Sequence, residues 1–321
     1  MHFKAPNPTP KGLWRRVPPA VFPPILGLLG LSMAWRRGAP EFGFPVELAQ
    51  VLGGAVTLLA GFALLAFAGK IARRPKVLVE DLRILPGRAG AAASVLCVYL
   101  IAGLLAPFVP QVADGVLYGG LGLHAALTLV VVYVFATGPK EQRRVSPVFQ
   151  LIFTGWIVAA VVATGMGKTG LAFPLFWIAM LSAVILWTVQ MQQFGAASVP
   201  APLRPLLAIH LAPAALLGTV AQGFNSDAIA LVFAVFCAAI LLAMIGGLRW
   251  LLAAGFSPMW GALTFPMAAL ANFWLLMGGV WRLPGGLVLV LVTLTIPWIA
   301  FRILKDWASG SLAIKTNAAA A

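Results

Sequence analysis

The sequence predicts an all-α integral membrane protein with ten transmembrane helices. The 321-residue chain is 61% hydrophobic and only 9% charged, with a mean hydropathy of +0.98, whereas soluble domains carry about 25% charged residues. Apolar runs long enough to cross about 30 Å of hydrocarbon recur along the chain, separated by short polar breaks. The sequence has no alternating apolar and polar segments typical of a membrane β-barrel, so helices are the spanning structure that remains.

The predicted spans divide the chain into three parts: a cytoplasmic segment 1–20, a transmembrane domain 21–304 and a cytoplasmic tail 305–321. The longest loop, Lys70–Arg88, is too short for a further domain. In order, the predicted spans are Val21–Trp35, Val46–Gly69, Ala89–Pro107, Val116–Gly138, Val148–Gly165, Leu171–Met191, Leu203–Gln222, Ala228–Gly247, Pro258–Trp281 and Gly286–Leu304.

The distribution of basic residues predicts the orientation. With ten spans, only Arg36, Arg37, Lys168 and Arg282 fall on one side, and every other Lys and Arg falls on the other. Cytoplasmic loops are the ones enriched in Lys and Arg, so both termini are predicted to be cytoplasmic. The same rule and contact with anionic lipid headgroups account for the net charge of +14, and nucleic acid is not an expected partner.

Prolines divide the spans into two groups. Odd-numbered spans carry prolines in the helix or at its entrance. The even-numbered spans mostly lack proline, and Pro174 and Pro297 are the exceptions. Kinked helices need neighbours or water to satisfy the freed backbone groups, so they tend to line interiors. The pattern predicts five pairs of helices, inner then outer, around a central pathway. The odd-span prolines are Pro23, Pro24, Pro107, Pro147, Pro213 and Pro266.

The ninth span contains a candidate plug for that pathway. Helical spacing places Gly261, Phe265, Ala268 or Ala269, and Asn272 on one face. Pro266 follows Phe265 and is expected to kink the helix. A single large ring between small residues suits the closure of a narrow passage. The alternative is a phenylalanine that faces lipid or packs in the bundle core, as most of the 20 Phe residues must.

Motifs for catalysis, cofactors or metals do not stand out. The eight acidic residues all lie at or near loops, and no Cys/His cluster, nucleophile–base pair or phosphate-binding loop is evident. An enzyme is therefore not predicted, and neither is a cofactor or metal. His124 and His210 lie within spans; His210 is either a titrating pathway residue or a hydrogen-bonded one. Haem ligation by the two histidines is the alternative from another functional class.

Several motifs resemble the tellurite-resistance/dicarboxylate transporter family, which includes the bacterial tellurite-resistance permease and the plant slow anion channels. The even spans match that family only in hydrophobicity. The motifs are Pro23-Pro24-Ile25-Leu26-Gly27-Leu28, Ser146-Pro147-Val148-Phe149, Leu211-Ala212-Pro213-Ala214, and Trp260-Gly261-Ala262-Leu263-Thr264-Phe265-Pro266-Met267 with Ala271-Asn272.

The resemblance implies a fold, an activity and a set of site residues. The fold would be ten helices in five hairpins with quasi-fivefold symmetry around a central pore, assembled as a homotrimer in the bacterial inner membrane. The activity would be passage of small inorganic or organic anions through a pore closed by Phe265. A proton-coupled or facilitated exporter of dicarboxylate, sulfite or tellurite-type oxyanions, with His210 as its proton site, is the alternative. The implied pore-lining residues are Pro24, Gly27, Pro147, His210, Pro213, Gly261, Thr264, Pro266, Ala269 and Asn272.

Overall fold

Helices account for the regular secondary structure of the protein in this computed structural model, which describes residues 12–139, 144–196 and 198–321. No strand occurs in those ranges. The basic residues Lys4, Lys11, Lys140 and Arg143, used above for orientation, lie outside them. The α-helices are α1 Phe22–Phe42, α2 Val46–Arg73, α3 Lys76–Arg83, α4 Leu85–Leu105, α5 Pro110–Thr137, α6 Trp156–Gly165, α7 Thr169–Ala196, α8 Leu211–Gly223, α9 Asp227–Gly246, α10 Leu248–Leu251, α11 Gly261–Met277, α12 Arg282–Ala308 and α13 Ser311–Lys315.

Several long helices begin with a segment of different helical pitch. A π-helical segment, Gln150–Thr154, precedes α6, and the 3₁₀ segments Ala201–His210 and Pro258–Trp260 precede α8 and α11. Proline fixes φ and lacks the N–H that a helix interior requires, so it favours such entry turns. The sequence predicted continuous spans here, because hydropathy does not distinguish one helical pitch from another.

Eight helical segments of the described chain are long and apolar enough to cross a membrane, which makes the protein an integral membrane protein. The other two predicted spans fall outside this set. Helix α1 has 21 residues, but Arg36 and Arg37 lower the hydropathy of its second half. The segment Gln150–Gly165 is apolar but shorter than the rest. The predicted loop 70–88 contains α3, a short amphipathic helix that buries Val77 and Leu82 while Arg83 stays exposed.

Burial separates these segments into two sets. In α4, in residues 201–223 and in residues 258–277, 67–78% of the most apolar stretch is buried. In α2, α5, α7, α9 and α12 that share is only 22–39%, and large apolar side chains such as Leu58 and Leu129 are exposed. Exposed apolar surface of this extent is expected where a helix faces lipid.

Contacts between helices follow the same division. Helices α1, α4, α6, α8 and α11, called the ring helices below, contact one another in a closed series: α1 with α4, α4 with α6, α6 with α8, α8 with α11, and α11 with α1. Each outer helix packs against its ring neighbours: α2 on α1, α5 on α4, α7 on α6, α9 on α8 and α12 on α11. The α1–α11 contact is the most extensive, although about 240 residues separate the two helices in sequence.

A polar cluster beside the starts of α1 and α4 includes a fully buried ion pair. Lys70 Nζ lies 2.6 Å from Asp81 Oδ2 and donates a second hydrogen bond to the Val17 carbonyl. The backbone N–H of Ala319 donates to Asp81 Oδ1 at 2.9 Å. Removing either charge would leave the other buried without a counter-ion, at a cost of about 3–5 kcal/mol in stability. The cluster therefore joins the segment before α1, the α2–α3 turn and the end of the tail.

Candidate functional site

Three cavities lie inside the series of ring helices, at successive levels. The first cavity is lined by residues early in these helices, including Pro23, Ala89 and Ile209. The second involves Leu96, Val158 and Leu216. The third, called the charged vestibule, involves positions further along, such as Gly103, Val162, Thr219 and Asn272. In each ring helix, taken together with the segment before it, residue numbers rise from the first cavity to the charged vestibule, so the ring helices run parallel and the cavities stack along their common direction.

Phe265 on α11 lines both the first and the second cavity. Its side chain is buried, with 5% of the residue exposed. The ring lies against Gly30 of α1, where a Cβ atom would come within 3.1 Å of Phe265 Cδ2. A larger residue at position 30 would press on the ring. The absence of a side chain at Gly30 therefore provides the space that Phe265 occupies.

Constriction at this level is severe. The first cavity has a volume of about 30 Å³ and the second about 10 Å³, whereas the charged vestibule has about 730 Å³. A single water needs roughly 10–15 Å³. The passage beside Phe265 therefore has room for isolated waters and not for a hydrated ion.

Close contact between α1 and α11 holds Phe265 in this position. A Cβ atom at Gly27 would lie 2.2 Å from Thr264 Oγ1, which means that no larger residue fits without movement of the helices. Thr264 Oγ1 lies 2.7 Å from the Gly261 carbonyl of its own helix and 3.1 Å from the Pro23 carbonyl of α1. Gly261 in turn faces Pro24, where a Cβ atom added at Gly261 would lie 3.1 Å from Pro24 Cδ. Small residues thus allow the two backbones to approach closely.

The second cavity contains a free hydrogen-bond donor beside Phe265. Gln150 belongs to the π-helical segment, and its Oε1 accepts a 2.6 Å hydrogen bond from Thr154 Oγ1. Its Nε2 is buried and has no hydrogen-bond partner among the described residues. Gln150, Thr154 and Phe265 all line this cavity. An amide N–H₂ group without a partner is a donor that an anion can use.

The charged vestibule has a positive balance. It is lined by Arg36, Arg37 and Lys168 and by a single carboxylate, Asp114, which pairs with Lys168 at 2.9 Å. The C-terminal ends of five parallel helices would by themselves give this end a negative potential. Three basic side chains against one acid offset that potential and favour anions. These three are among the four basic residues that the sequence assigned to the sparsely charged side.

The structure places the predicted pore-lining residues at several different positions. Gly261 and Pro266 line the first cavity, Pro213 the second, and Asn272 the charged vestibule. Pro24, Gly27 and Thr264 lie in the α1–α11 contact, and Ala269 is buried on α11 one turn beyond Phe265. Pro147 and His210 line two other cavities, beside α7, that Phe265 does not reach.

Gly30 and Gln150 were not among the predicted site residues. Gly30 lies one turn after Gly27 on α1, and this spacing was a usable signal for a second point of close approach. Gln150 lies within the fifth predicted span. Its free donor depends on the π-helical segment and on the hydrogen bond from Thr154, neither of which the sequence reveals.

His124, the other histidine within a predicted span, has no free ring nitrogen. His124 Nε2 donates to the Ile152 carbonyl at 2.8 Å, Nδ1 lies 3.1 Å from the Tyr99 hydroxyl, and the imidazole stacks on Trp156 with 4.1 Å between ring centroids. These contacts occupy both positions that a haem iron would use. No group of three or more potential metal ligands occurs in the part of the chain that the structure describes.

Comparison with known families gives one match over nearly the whole chain. The family described as "Voltage-dependent anion channel" (SLAC1) matches residues 16–304. No curated protein sequence matches the chain significantly. The match covers all the ring helices, the three stacked cavities and Phe265. The chain therefore belongs to the voltage-dependent anion channel (SLAC1) family, whose members are anion channels and transporters.

Proposed function

We propose that the protein is an anion channel whose pathway runs through the three stacked cavities and is closed by Phe265. The observation that carries the proposal is the position of this one ring, which lines the two smallest cavities between the ring helices. Membership of an anion channel and transporter family supplies the class of substrate.

The proposed architecture has ten membrane-crossing helices in five pairs. The eight apolar spans would be completed by α1 and by Gln150–Gly165, which supply two members of the closed series of ring helices. High burial of the ring helices and low burial of their outer partners support a quasi-fivefold arrangement around a central pore. Helix α1 is polar in its second half and Gln150–Gly165 is short. Both are tolerable because ring neighbours, not lipid, surround them.

Closure would depend on shape and selection on weak polar contacts. With the ring in place, no hydrated anion passes. With the ring turned aside, an anion from the charged vestibule would meet the Gln150 amide while shedding part of its water. A pathway without fixed charge at its narrowest level discriminates weakly among small anions, mainly by how easily they dehydrate.

Orientation and assembly follow from the same proposal. The polar cluster around Lys70 and Asp81 would face the cytoplasm of a bacterial inner membrane together with both termini, and the charged vestibule would face the opposite side. A homotrimer would bury part of the exposed apolar surface of the outer helices. Tellurite-type oxyanions and dicarboxylates are the substrates to test beside chloride and nitrate.

A proton-coupled exporter would need a titratable group on the pathway. In the described part of the chain, no Asp, Glu, His, Lys or Arg lines either of the two cavities beside Phe265. His210 lies in a separate groove beside α7. These positions favour the channel over the exporter. Uptake driven by a pH gradient in proteoliposomes, without an electrical current, would support the exporter instead.

Removal of the Phe265 ring tests the proposal directly. Phe265→Ala should raise the anion current several-fold in planar bilayers, because the cavity left by the ring would connect the two small cavities. Phe265→Leu should raise it much less, since a branched side chain still fills most of the space. Phe301→Ala is the control, because Phe301 is 67% exposed on α12. Unchanged current in Phe265→Ala protein with normal folding would refute the role of the ring.

A further inference from the structure

Two cavities outside the proposed pathway form a continuous site beside α7. One, called the basic pocket, has a volume of about 350 Å³ and lies between the start of α4, residues 144–147 and the end of α7. The other, called the apolar groove, has about 510 Å³ and lies between α7, the segment before α8, and α9. Gln190, Phe194 and Leu207 line both. Each volume lies within the range of about 300–1,000 Å³ typical of ligand sites.

The basic pocket has three guanidinium groups and no carboxylate. Arg83, Arg88 and Arg144 line it, and its lining includes no Asp or Glu in the described part of the chain. Arg88 is buried, with its Nε donating to the Leu82 carbonyl at 3.0 Å and its guanidinium over the Phe149 ring. Arg83 and Arg144 are exposed. Arginine forks match the oxygens of phosphate, so the pocket is complementary to a phosphoryl group.

The length of the apolar groove is close to the thickness of the hydrocarbon layer of one membrane leaflet. Along α9 it extends from Phe236 to Gly247, the residue after the last turn of the helix, which is about 16 Å at 1.5 Å per residue. Half of a hydrocarbon core of about 30 Å is nearly the same length. No residue lining the groove is Asp, Glu, Lys or Arg within the described chain. The groove therefore fits a hydrocarbon chain that begins at the basic pocket.

Four buried polar atoms without partners line the two cavities. Among the described residues, Ser146 Oγ, Gln190 Oε1, Trp187 Nε1 and His210 Nδ1 have no hydrogen-bond partner. Ser146 and Gln190 line the basic pocket, whereas Trp187 and His210 line the groove. An indole N–H can only donate, and ester carbonyls of a lipid can only accept. A purely hydrocarbon occupant would leave all four atoms without a hydrogen-bond partner, whereas a phospholipid offers oxygens that can pair with them.

We propose that the basic pocket and the apolar groove together bind one anionic phospholipid, with its phosphate among Arg83, Arg88 and Arg144 and an acyl chain between α7 and α9. The site lies outside the central cavities, and its assignment does not rest on the proposed channel function. It borders the first cavity, because Leu206 lines both the basic pocket and that cavity. A bound lipid would therefore contact a side chain that borders the closed level of the ring helices.

Native mass spectrometry of the full-length protein tests the site. After delipidation in detergent, the protein is incubated with dioleoylphosphatidylglycerol, dioleoylphosphatidylcholine or inorganic phosphate. We expect one retained phosphatidylglycerol, with several-fold less phosphatidylcholine. Arg83→Gln with Arg144→Gln should reduce the retained phosphatidylglycerol about tenfold, because two charge-assisted contacts are lost. Lys76→Gln, which removes an exposed charge on α3 outside both cavities, should have no effect.

A second variant separates the possible occupants. Ala243→Trp places a large ring in the groove and should reduce retention of both lipids, while thermal unfolding shows that the variant is folded. Retained lipid that neither variant changes would refute the proposal. So would phosphate binding that abolishes lipid retention and persists in Ala243→Trp, because the occupant would then be free phosphate. Loss of oligomers in Ala243→Trp without loss of lipid would assign the groove to a second copy of the chain.

Discussion

The level of Phe265 and the charged vestibule lie in the same series of ring helices but restrict passage in different ways. Around Phe265 the cavities are small and uncharged, and glycines allow α1 and α11 to approach until no additional atom fits. The charged vestibule is wide, contains three basic groups, and includes Gly165, where an added Cβ atom would meet no atom within 4 Å. In the proposed channel, packing would control whether an anion passes, and charge would control how many anions arrive. Substitutions at the two levels should differ accordingly.

The largest contrast is expected between two glycines. Gly27→Ala places a Cβ atom 2.2 Å from Thr264 Oγ1 and 2.3 Å from its Cβ, so α1 and α11 must move apart. We expect a loss of about 1–3 kcal/mol in stability. Gly165→Ala is the matched change in the charged vestibule. No atom lies within 4 Å of the added Cβ atom there, so the change should be neutral. Thermal unfolding of the purified proteins measures both. Equal melting temperatures would contradict the difference in packing.

Loss of the free amide donor should have the next largest effect. In a Phe265→Ala background, Gln150→Leu should lower the anion current about fivefold, which corresponds to one hydrogen bond of about 1 kcal/mol. Gln150→Glu should lower it further, since a carboxylate repels anions. Bilayer recordings in symmetrical chloride measure the effect. Gln190→Leu is the control because Gln190 lies on the outer helix α7 and lines none of the central cavities. A current that is indifferent to residue 150 would remove the donor from the pathway.

Neutralisation of the charged vestibule should have a smaller effect that depends on salt. Arg36→Gln with Arg37→Gln should reduce the current through Phe265→Ala protein by about two- to threefold at low ionic strength, because fewer anions collect at the entrance. High salt should remove most of the difference, since it screens exposed charges. Arg282→Gln is the control. It deletes a charge at the same end, but Arg282 pairs with Glu41 and lies outside the cavity. A reduction that persists unchanged at high salt would argue against an electrostatic cause.

The smallest effect is expected at the single acid of the charged vestibule. Asp114→Asn frees Lys168 from its 2.9 Å ion pair and should raise the low-salt current, by less than about twofold, because an exposed pair is already screened by water. Glu47→Gln is the control, since Glu47 is exposed on the outer helix α2 and does not line the cavity. A decrease in current would show that Asp114 acts through local structure and not through its charge.

The parts of the fold that depend on local sequence could be predicted. Hydropathy located the helices to within a few residues at most ends, and helical spacing placed Phe265 and Asn272 on one face of the ninth span. Both residues line central cavities. Helix α3 was not predicted because its burial depends on amphipathic residues in a basic loop, where charge dominates the composition.

The parts that depend on contacts between distant segments could not be predicted. Pro24, Gly27 and Thr264 were assigned to the pore, but each lies where α1 meets α11, and hydropathy does not show which face of a buried helix touches a neighbour. The family resemblance implied that His210 lines the pore. The 3₁₀ segment Ala201–His210 rotates each residue differently from an α-helix, and the side chain lies in the apolar groove.

Contact between α1 and α11 also has a consequence for biogenesis. Helix α1 enters the membrane first, and its arginines make it a poor span by itself, yet its most extensive partner is α11, close to the other end of the chain. The circle of ring helices therefore stays open during most of synthesis, with the polar residues of α1 facing an unfinished bundle. Final closure must wait until α11 has inserted. A chain truncated before Pro258 should consequently leave α1 poorly anchored, and such intermediates are the ones that membrane quality-control proteases would remove.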